Sequence, residues 1–145
     1  MNPASVADWV SGLPLGASAS FTKTVGEVDV TLFAGLTGDL HPVHMDEELM
    51  RKTPYGRRLV HGVFVLGLMS TAGARLTGSL PVPTVSIGYD RVRFVRPVFI
   101  GDTLTATYRI VEHQADRARV VSEVTCVNQQ GEEVAVATHI MKVVP

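Results

Sequence analysis

Residues 33–70 read FAGLTGDLHPVHMDEELMRKTPYGRRLVHGVFVLGLMS, and the rest of the chain is organised around this stretch. It opens with a short helical pattern, after which a carboxylate and two imidazoles (Asp39, His41 and His44) follow within six residues. A second polar segment then leads to an apolar run that begins at Gly62. Acid–base groups on a loop, followed by a glycine at the start of a buried helix, indicate proton transfer next to a carbonyl group.

The length and charge of the chain limit the classes of protein to which it can belong. A chain of 145 residues predicts a single domain over residues 1–145. Its 13 basic and 14 acidic residues give a formal net charge of -1, so we expect no nucleic-acid partner and no membrane partner. The N-terminus lacks the basic and long apolar parts of a secretory signal. The apolar run at 63–69 is far shorter than the roughly 20 residues of a membrane span, and we expect a cytoplasmic protein.

Cys126 is the one cysteine of the chain and lies in an alternating, strand-like run. A small buried side chain is the simplest interpretation. The alternative, a nucleophile, lacks an activating pattern around it. A single cysteine also argues against a disulfide scaffold and fits a reducing compartment.

Helical patterns dominate the first half of the chain. Apolar residues recur at helical spacing over 28–36, and a glycine follows them. Pro42 biases the preceding residue away from helical angles, so we expect a loop over 39–43. A second short helix is expected at about 46–52, where three acidic residues favour its N-terminal end. Residues 28–56 therefore form a helical overhang that carries the loop.

The longest apolar run, at 61–76, predicts a long helix that is hydrophobic nearly all round and therefore buried inside the domain. Its small residues indicate that another part of the molecule approaches its backbone closely. From Val85 onward the pattern alternates with a period of two, with an expected bulge near Asp90. Strands are predicted at 17–26, from 85 to about 94, and at 104–110, 120–126 and 134–144. This order predicts an α+β domain in which a curved antiparallel sheet packs on one helix.

Asp39 and His44 are separated by five positions with a proline between them, a spacing that suits a loop and not one face of a helix. A carboxylate and an imidazole that share one water can orient it, take one proton and return another. The alternative is structural, with Asp39 closing an Asx-type turn and His44 packed in the loop. A metal site formed by His41 and His44, with Asp39 or His61 as a third ligand, is disfavoured because the spacing is not helical and no cysteine cluster assists. We therefore predict no metal.

Gly62 precedes the buried helix, where free N–H groups and the helix dipole favour negative charge. A substrate carbonyl can approach this N–H because no Cβ is present; the alternative is a glycine needed only for tight helix entry. Ser70 lies about two turns further on and either donates a hydrogen bond into the site or bonds back to the carbonyl of Leu66.

Several arginines could meet the phosphates of a nucleotide-like carrier, although each alone is more typical of a solvated surface. They are Arg57, Arg58, Arg91, Arg93 and Arg96.

The segment from Phe33 to His44 resembles the signature of the R-specific enoyl-CoA hydratases, the MaoC-like dehydratases of the hot-dog fold. In that pattern an aromatic and small apolar residues lead into Gly-Asp-x-Asn-Pro-Leu/Ile/Val-His. The His61-Gly62 pair, Ser70 and the Pro97-Val98-x-x-Gly101-Asp102-x-Leu104 run also fall at the family's spacing. The resemblance extends from about residue 17 to residue 144.

The resemblance implies that Asp39 and His44 form the catalytic dyad. It also implies that the Gly62 N–H polarises a thioester carbonyl and that Ser70 supports the site. The substrate-binding candidates are His41, Val43, His61, Arg57, Arg58 and Arg93. His41 occupies the family's usual Asn position, so local geometry, pH dependence or substrate preference is expected to differ.

The implied activity is reversible hydration of trans-2-enoyl-CoA to (R)-3-hydroxyacyl-CoA by a homodimer that needs no metal or redox cofactor. The substrate is an acyl-CoA thioester, or an acyl-carrier-protein thioester. The sequence leaves open which of Asp39 and His44 is the acid and which is the base. Two alternatives remain: thioester hydrolysis on the same fold, and a non-catalytic acyl-thioester binding subunit.

Overall fold

The computed structural model describes residues 5–78, 80 and 82–144. One long helix and a five-stranded sheet dominate it. The helices are α1 (Val6–Ser11), α2 (Glu27–Thr37), α3 (Pro42–Met45), α4 (Glu47–Met50) and α5 (Gly62–Thr77), and a 3-10 turn follows at Ala115–Arg117. The strands are β1 (Ser18–Thr24), β2 (Thr84–Phe94), β3 (Thr103–Gln114), β4 (Arg119–Val127) and β5 (Glu133–Val143).

The sheet is antiparallel throughout, in the order β1-β3-β4-β5-β2, and α5 packs against β1, β3 and β4. The pairing of β2 with β5 shifts register twice, between Ser86 and Gly88 and again between Asp90 and Arg93. Such bulges bend a strand and increase its twist. The predicted α+β hot-dog fold, with a bulge near Asp90, is confirmed.

The core forms where α5 meets the sheet. Tyr108 on β3 is fully buried, and its ring lies beneath Gly73 of α5. A Cβ at Gly73 would lie 2.8 Å from this ring, which explains why the helix carries a glycine at its middle. Cys126 is also fully buried, and burial raises the pKa of its thiol to about 12. The interpretation of Cys126 as a packed side chain is therefore confirmed.

Two details of the predicted helices are wrong. The expected loop over 39–43 ends early, because Pro42 occupies the first position of the helical turn α3, where its missing N–H costs nothing. The prediction that α5 is buried on nearly all sides is also wrong for the single chain. Val63 is 61% exposed, and Ser70 and Ala74 on the same side are exposed too, since the sheet covers only the opposite face of the helix.

None of the described helices is both long and apolar enough to cross a membrane.

We predict that Gly73→Ala destabilises the fold. The added methyl would press on the buried Tyr108 ring, and overpacking of this kind costs about 1–3 kcal/mol, more than the helix propensity that alanine contributes. The matched control is Gly35→Ala in α2, an exposed helical glycine whose Cβ would meet nothing within 4 Å. Urea unfolding should show a lower free energy of unfolding for Gly73→Ala and a gain of up to about 1 kcal/mol for Gly35→Ala. Equal gains in both variants would contradict the packing argument.

Candidate active site

The end of α2 fixes the position of Asp39. Gly38 adopts a left-handed conformation (φ 81°) that terminates the helix and turns the chain. The N–H of Asp39 donates to Thr37 Oγ1 at 3.3 Å, and Asp39 Oδ1 accepts from the N–H of His41 at 3.3 Å. Asp39 therefore closes an Asx-type turn, as expected in the alternative where its role is structural. Its side chain is still 51% exposed, so the turn and a catalytic role are compatible.

His41 caps the helical turn that carries the second catalytic candidate. Its Nδ1 accepts a hydrogen bond from the N–H of Val43 at 3.3 Å, so the ring serves as the N-cap of α3. An asparagine, the residue typical of the family at this position, would supply an acceptor for the same N–H. The departure at His41 therefore replaces one capping acceptor with another and preserves the turn.

His44 is held in one tautomer by the backbone of Leu59. Because a carbonyl oxygen only accepts, His44 Nδ1–H must donate to Leu59 O, at 2.7 Å. The N–H of Leu59 in turn donates to the carbonyl of Val43 at 2.9 Å, which ties α3 to this segment. His44 Nε2 is left with a free lone pair. Burial lowers the pKa of His44, and the neighbouring His61 adds to this, so the ring is uncharged at neutral pH.

His61 is the buried support of the site. Its side chain is 2% exposed, and Nε2–H donates to the backbone carbonyl of Asp39 at 3.0 Å. Its ring stacks on His44 with centroids 3.8 Å apart, and Phe33 packs on it at 4.8 Å. Its Nδ1 has no hydrogen-bond partner among the described residues. One imidazole therefore contacts both members of the expected dyad.

Asp39, His44 and His61 form one cluster, in which one ligand-capable atom of each residue lies within 4.8 Å of the others. The ring of His41 lies 6.3 Å from that of His44 and is not part of this group. The rings of His44 and His61 are stacked, with an angle of 25° between their planes. The absence of a metal stays a prediction.

The N-terminus of α5 faces the same place. The N–H of Gly62 donates to none of the residues that the structure describes, and His61 provides no side-chain cap. A Cβ at Gly62 would lie 2.8 Å from the Phe94 ring of β2. A cavity of about 360 Å³ opens here, with His44, Gly62 and Phe94 in its wall. Glycine at this position therefore satisfies a packing need and also leaves a backbone donor beside His44.

Ser70 is not brought to this group. It lies eight residues after Gly62, about 12 Å along the helix axis at 1.5 Å per residue. Its side chain lines a different cavity, and it forms no hydrogen bond back to the carbonyl of Leu66 or to any other described residue. Its catalytic role stays a prediction.

The arginine candidates differ from one another. Arg58 is bound to Glu27 and Glu47, and its hydrogen bonds to Glu27 raise its pKa, so it acts as a clamp within the overhang. Arg57 lies over the ring of Phe99 at 4.0 Å and lines a cavity of about 270 Å³ together with Arg96. Arg93, on β2, is exposed and donates to its neighbouring Val92 carbonyl. Their roles in substrate binding, like that of Val43, stay predictions.

Sequence patterns did not reveal two contributors to this site. The Leu59 carbonyl is a backbone group, and residue type carries no signal for it. Phe94 belongs to an alternating strand, and only the tertiary fold shows that its ring covers Gly62. The role of His61 was partly visible, because the His-Gly pair falls at the start of the helix.

The sequence matches the MaoC like domain family over residues 12–132. It is 37% identical to an (R)-specific enoyl-CoA hydratase of Rhodospirillum rubrum over 111 residues, which are 77% of this chain and 75% of that protein. It is 32% identical to a 3-hydroxybutyryl-CoA dehydratase of Methylorubrum extorquens over 133 residues, 92% of this chain and 82% of that protein.

Solved structures agree with the fold. The unliganded R-hydratase PhaJ1 of Pseudomonas aeruginosa is similar with a TM-score of 0.81 and 32% identity, over 92% of this chain and 84% of that one. The (R)-hydratase of A. caviae involved in PHA biosynthesis has a TM-score of 0.83 and 25% identity, over 92% of this chain and 99% of that one.

The sheet order and the single long helix define a protein of the hot-dog fold, with an aspartate and a histidine beside the start of the helix. Within that class, the chain belongs to the MaoC-like dehydratase family.

We predict that His41→Asn preserves the α3 turn and that His41→Ala weakens it. Loss of an N-cap acceptor typically costs about 1 kcal/mol, whereas asparagine is itself a good cap. Urea unfolding should therefore place His41→Asn close to the wild type and His41→Ala about 1 kcal/mol below it. Equal destabilisation in both variants would show that the imidazole has another structural role.

We predict that His61→Gln raises the pKa of His44. The glutamine keeps an N–H donor for the Asp39 carbonyl but removes the imidazole, whose positive form disfavours a charge on His44. The control is His113→Gln, which changes a histidine on β3 that bonds the Leu13 carbonyl away from the site. Titration of His44 by NMR checks both variants. An unchanged His44 pKa in His61→Gln, or an equal rise in His113→Gln, would contradict the coupling.

Proposed function

We propose that this protein catalyses the reversible hydration of a trans-2-enoyl-CoA to the (R)-3-hydroxyacyl-CoA, as a hydro-lyase. The observation that carries the proposal is the arrangement of His44, a neutral ring whose Nδ1–H bond to Leu59 leaves Nε2 free and which forms one cluster with Asp39. The relatives from Rhodospirillum rubrum and Methylorubrum extorquens, an enoyl-CoA hydratase and a hydroxybutyryl-CoA dehydratase, support the same reaction in its two directions.

The thioester carbonyl would accept a hydrogen bond from the N–H of Gly62. Attack at C3 moves electrons onto this oxygen, so the charge of the enolate grows where the positive end of α5 lies. A preorganised donor of this kind is worth about 2.7–4 kcal/mol in studied enzymes. Gly62, His44 and Phe94 line the same cavity, which is where the acyl group would bind.

One water would sit between Asp39 and His44. Their ligand-capable atoms lie within 4.8 Å, and hydrogen bonds of about 2.8 Å from one water can reach both. With Nδ1 protonated and donating to Leu59, His44 can only accept at Nε2, so it takes the proton as the water oxygen bonds to C3. The His44 imidazolium then gives a proton to C2 on the same face, so that H₂O is added overall and His44 is neutral again. Asp39 holds the water and balances the imidazolium charge.

The reaction needs no metal or redox cofactor, because the acid–base groups and the backbone donor supply each step. CoA enters as part of the substrate. Its phosphates would lie near Arg57 and Arg96, which share a cavity at the protein surface. A carrier-protein thioester remains the other form of the same substrate.

The working form is a homodimer, located in the cytoplasm. The outer edge of β2 pairs with no other described strand, and β2 together with the residue that follows it carries exposed apolar side chains: Val85, Ile87, Phe94 and Val95. Val63 on the uncovered face of α5 is exposed as well. An open apolar edge of this kind is a site of association, and a second copy would cover it.

We predict that Asp39→Asn and His44→Ala each lower kcat for enoyl-CoA hydration by about 10²–10⁴-fold. A panel of enoyl-CoAs, followed by the loss of the conjugated enoyl absorbance and by thiol release, identifies the reaction. Hydration removes the absorbance without free CoA, a thioesterase releases CoA, and a binding subunit does neither. Asp46→Asn is the control, because asparagine can keep the N-cap of α4. Wild-type rates in both dyad variants would overturn the mechanism.

The pH dependence provides a further readout of His44. Since burial lowers its pKa, activity should hold as pH falls through the ordinary histidine range and decline only below it, as Nε2 becomes protonated. An acidic limb of kcat/KM above the ordinary histidine pKa would contradict the assignment of His44 as the base.

A further inference from the structure

Arg58 joins the two ends of the segment that carries the dyad. Its guanidinium forms two hydrogen bonds to Glu27, the first residue of α2. Its Nε donates to Glu47, the first residue of α4, at 3.2 Å. We call residues 27–47 the dyad loop, since both dyad residues lie within it. The dyad loop therefore begins and ends on one side chain.

Arg58 and the residue after it also hold the helical turn that carries His44. Arg58 Nη1 donates to the carbonyl of His44 at 3.4 Å, and the N–H of Arg58 donates to Glu47 Oε2 at 3.4 Å. Leu59 accepts from His44 Nδ1–H and donates to the Val43 carbonyl. Arg58 and Leu59 thus bind α3 through its backbone and through the His44 ring at once.

The dyad loop buries little of its own surface. The buried residues of α2 are Val30 and Ala34, and α3 buries none of its residues. Apolar packing therefore contributes little within the loop, and polar bonds define where it lies. The salt bridge from Lys23 of β1 to Asp29 fixes the α2 end alone, whereas Arg58 bonds both ends.

The Arg58 side chain is more buried than either of its carboxylate partners. It is 16% exposed, whereas Glu27 and Glu47 are 57% and 40% exposed. Their hydrogen bonds raise the pKa of Arg58 and lower the pKa of Glu27, so both groups are charged at neutral pH. A guanidinium presents its five donors in one rigid plane, so it can hold two carboxylates in a fixed relative orientation, which the single ammonium of a lysine cannot.

We propose that Arg58 is a positioning residue, which closes the base of the dyad loop and so sets the distance between Asp39 and His44. This inference rests on the proposed hydration of enoyl-CoA thioesters. Arg58 transfers no proton and does not contact the substrate, because it acts through Glu27, Glu47 and the His44 backbone. The competing role is substrate binding, in which Arg58 would contact the phosphates of CoA.

The effect of Arg58 on the rate follows from the closure of the loop. A link between the ends of a loop limits the conformations that the loop can adopt. Without the guanidinium, the carboxylates of Glu27 and Glu47 would repel each other, and the ends of the loop would move apart. Misplacement of a catalytic group by about 1 Å can lower the rate by about 10²-fold. The Gly62 donor lies outside the loop, so thioester binding is retained.

The test measures kcat and KM for crotonyl-CoA and trans-2-octenoyl-CoA, and for the pantetheine thioesters of the same acyl groups, which lack the phosphates of CoA. In Arg58→Met, kcat should fall about 10–100-fold with both kinds of thioester, while each KM stays within about twofold of its wild-type value. Arg58→Lys keeps the charge without the planar fork and should recover only part of kcat. Arg51→Met is the matched control, because Arg51 bonds Glu47 and Glu48 from the surface at 61% exposure, and it should leave kcat unchanged.

Two further measurements do not depend on Arg58→Met alone. Glu27→Gln changes a carboxylate that is mostly exposed, so it should fold normally and still lower kcat. Added to Arg58→Met, it should cause no further loss, because both changes break the same link. By NMR, the Nδ1–H proton of His44 should exchange with water faster in Arg58→Met than in Arg51→Met.

The outcomes separate the inference from the proposed function. Wild-type kcat in Arg58→Met, or an equal loss in Arg51→Met, overturns the inference and leaves the hydration function standing. A raised KM for the CoA thioesters alone, with kcat unchanged, assigns Arg58 to phosphate binding and also overturns the inference. If the wild-type protein hydrates neither acyl-CoA, the proposed function fails and the inference fails with it.

Discussion

The hydrogen bond from His44 Nδ1–H to the Leu59 carbonyl is the interaction on which the site depends. It fixes the tautomer of the ring and leaves Nε2 as the only nitrogen able to accept a proton. The N–H of Leu59 in turn donates to the carbonyl of Val43, so two hydrogen bonds join the short helix α3 to Leu59. His61 completes the arrangement, because it is buried between the Asp39 backbone and the His44 ring.

The position of α5 explains the two cavities. The helix packs on β1, β3 and β4, with the close contact between Gly73 and Tyr108 setting its distance from the sheet. Beneath β5 and β2 the packing is looser, and both cavities lie on that side. The same strand, β2, carries the bulges and the exposed apolar edge. The strands β1, β3 and β4 therefore pack closely on α5, whereas the part of the sheet formed by β5 and β2 leaves room for both cavities.

Much of the fold was predictable, because periodicity reports burial directly. The alternation in β3 and β4 and the long apolar run of α5 gave the right elements and the right class. The loop over 39–43 was mispredicted, since a proline that disfavours helix before it is also a good first residue of a helix. The burial of α5 on nearly all sides was mispredicted, because apolar composition does not show which side of a helix the rest of the chain covers.

The sequence by itself determined the chemistry available: an aspartate and a histidine on either side of a proline, and a glycine at the start of an apolar helix. Their identities and spacing are local properties, which a linear pattern records. Only the tertiary structure decided which nitrogen of His44 is free, that His61 contacts both Asp39 and His44, and that Ser70 lies in a different cavity. These depend on contacts between segments far apart in the chain, and on backbone carbonyls that every residue type provides.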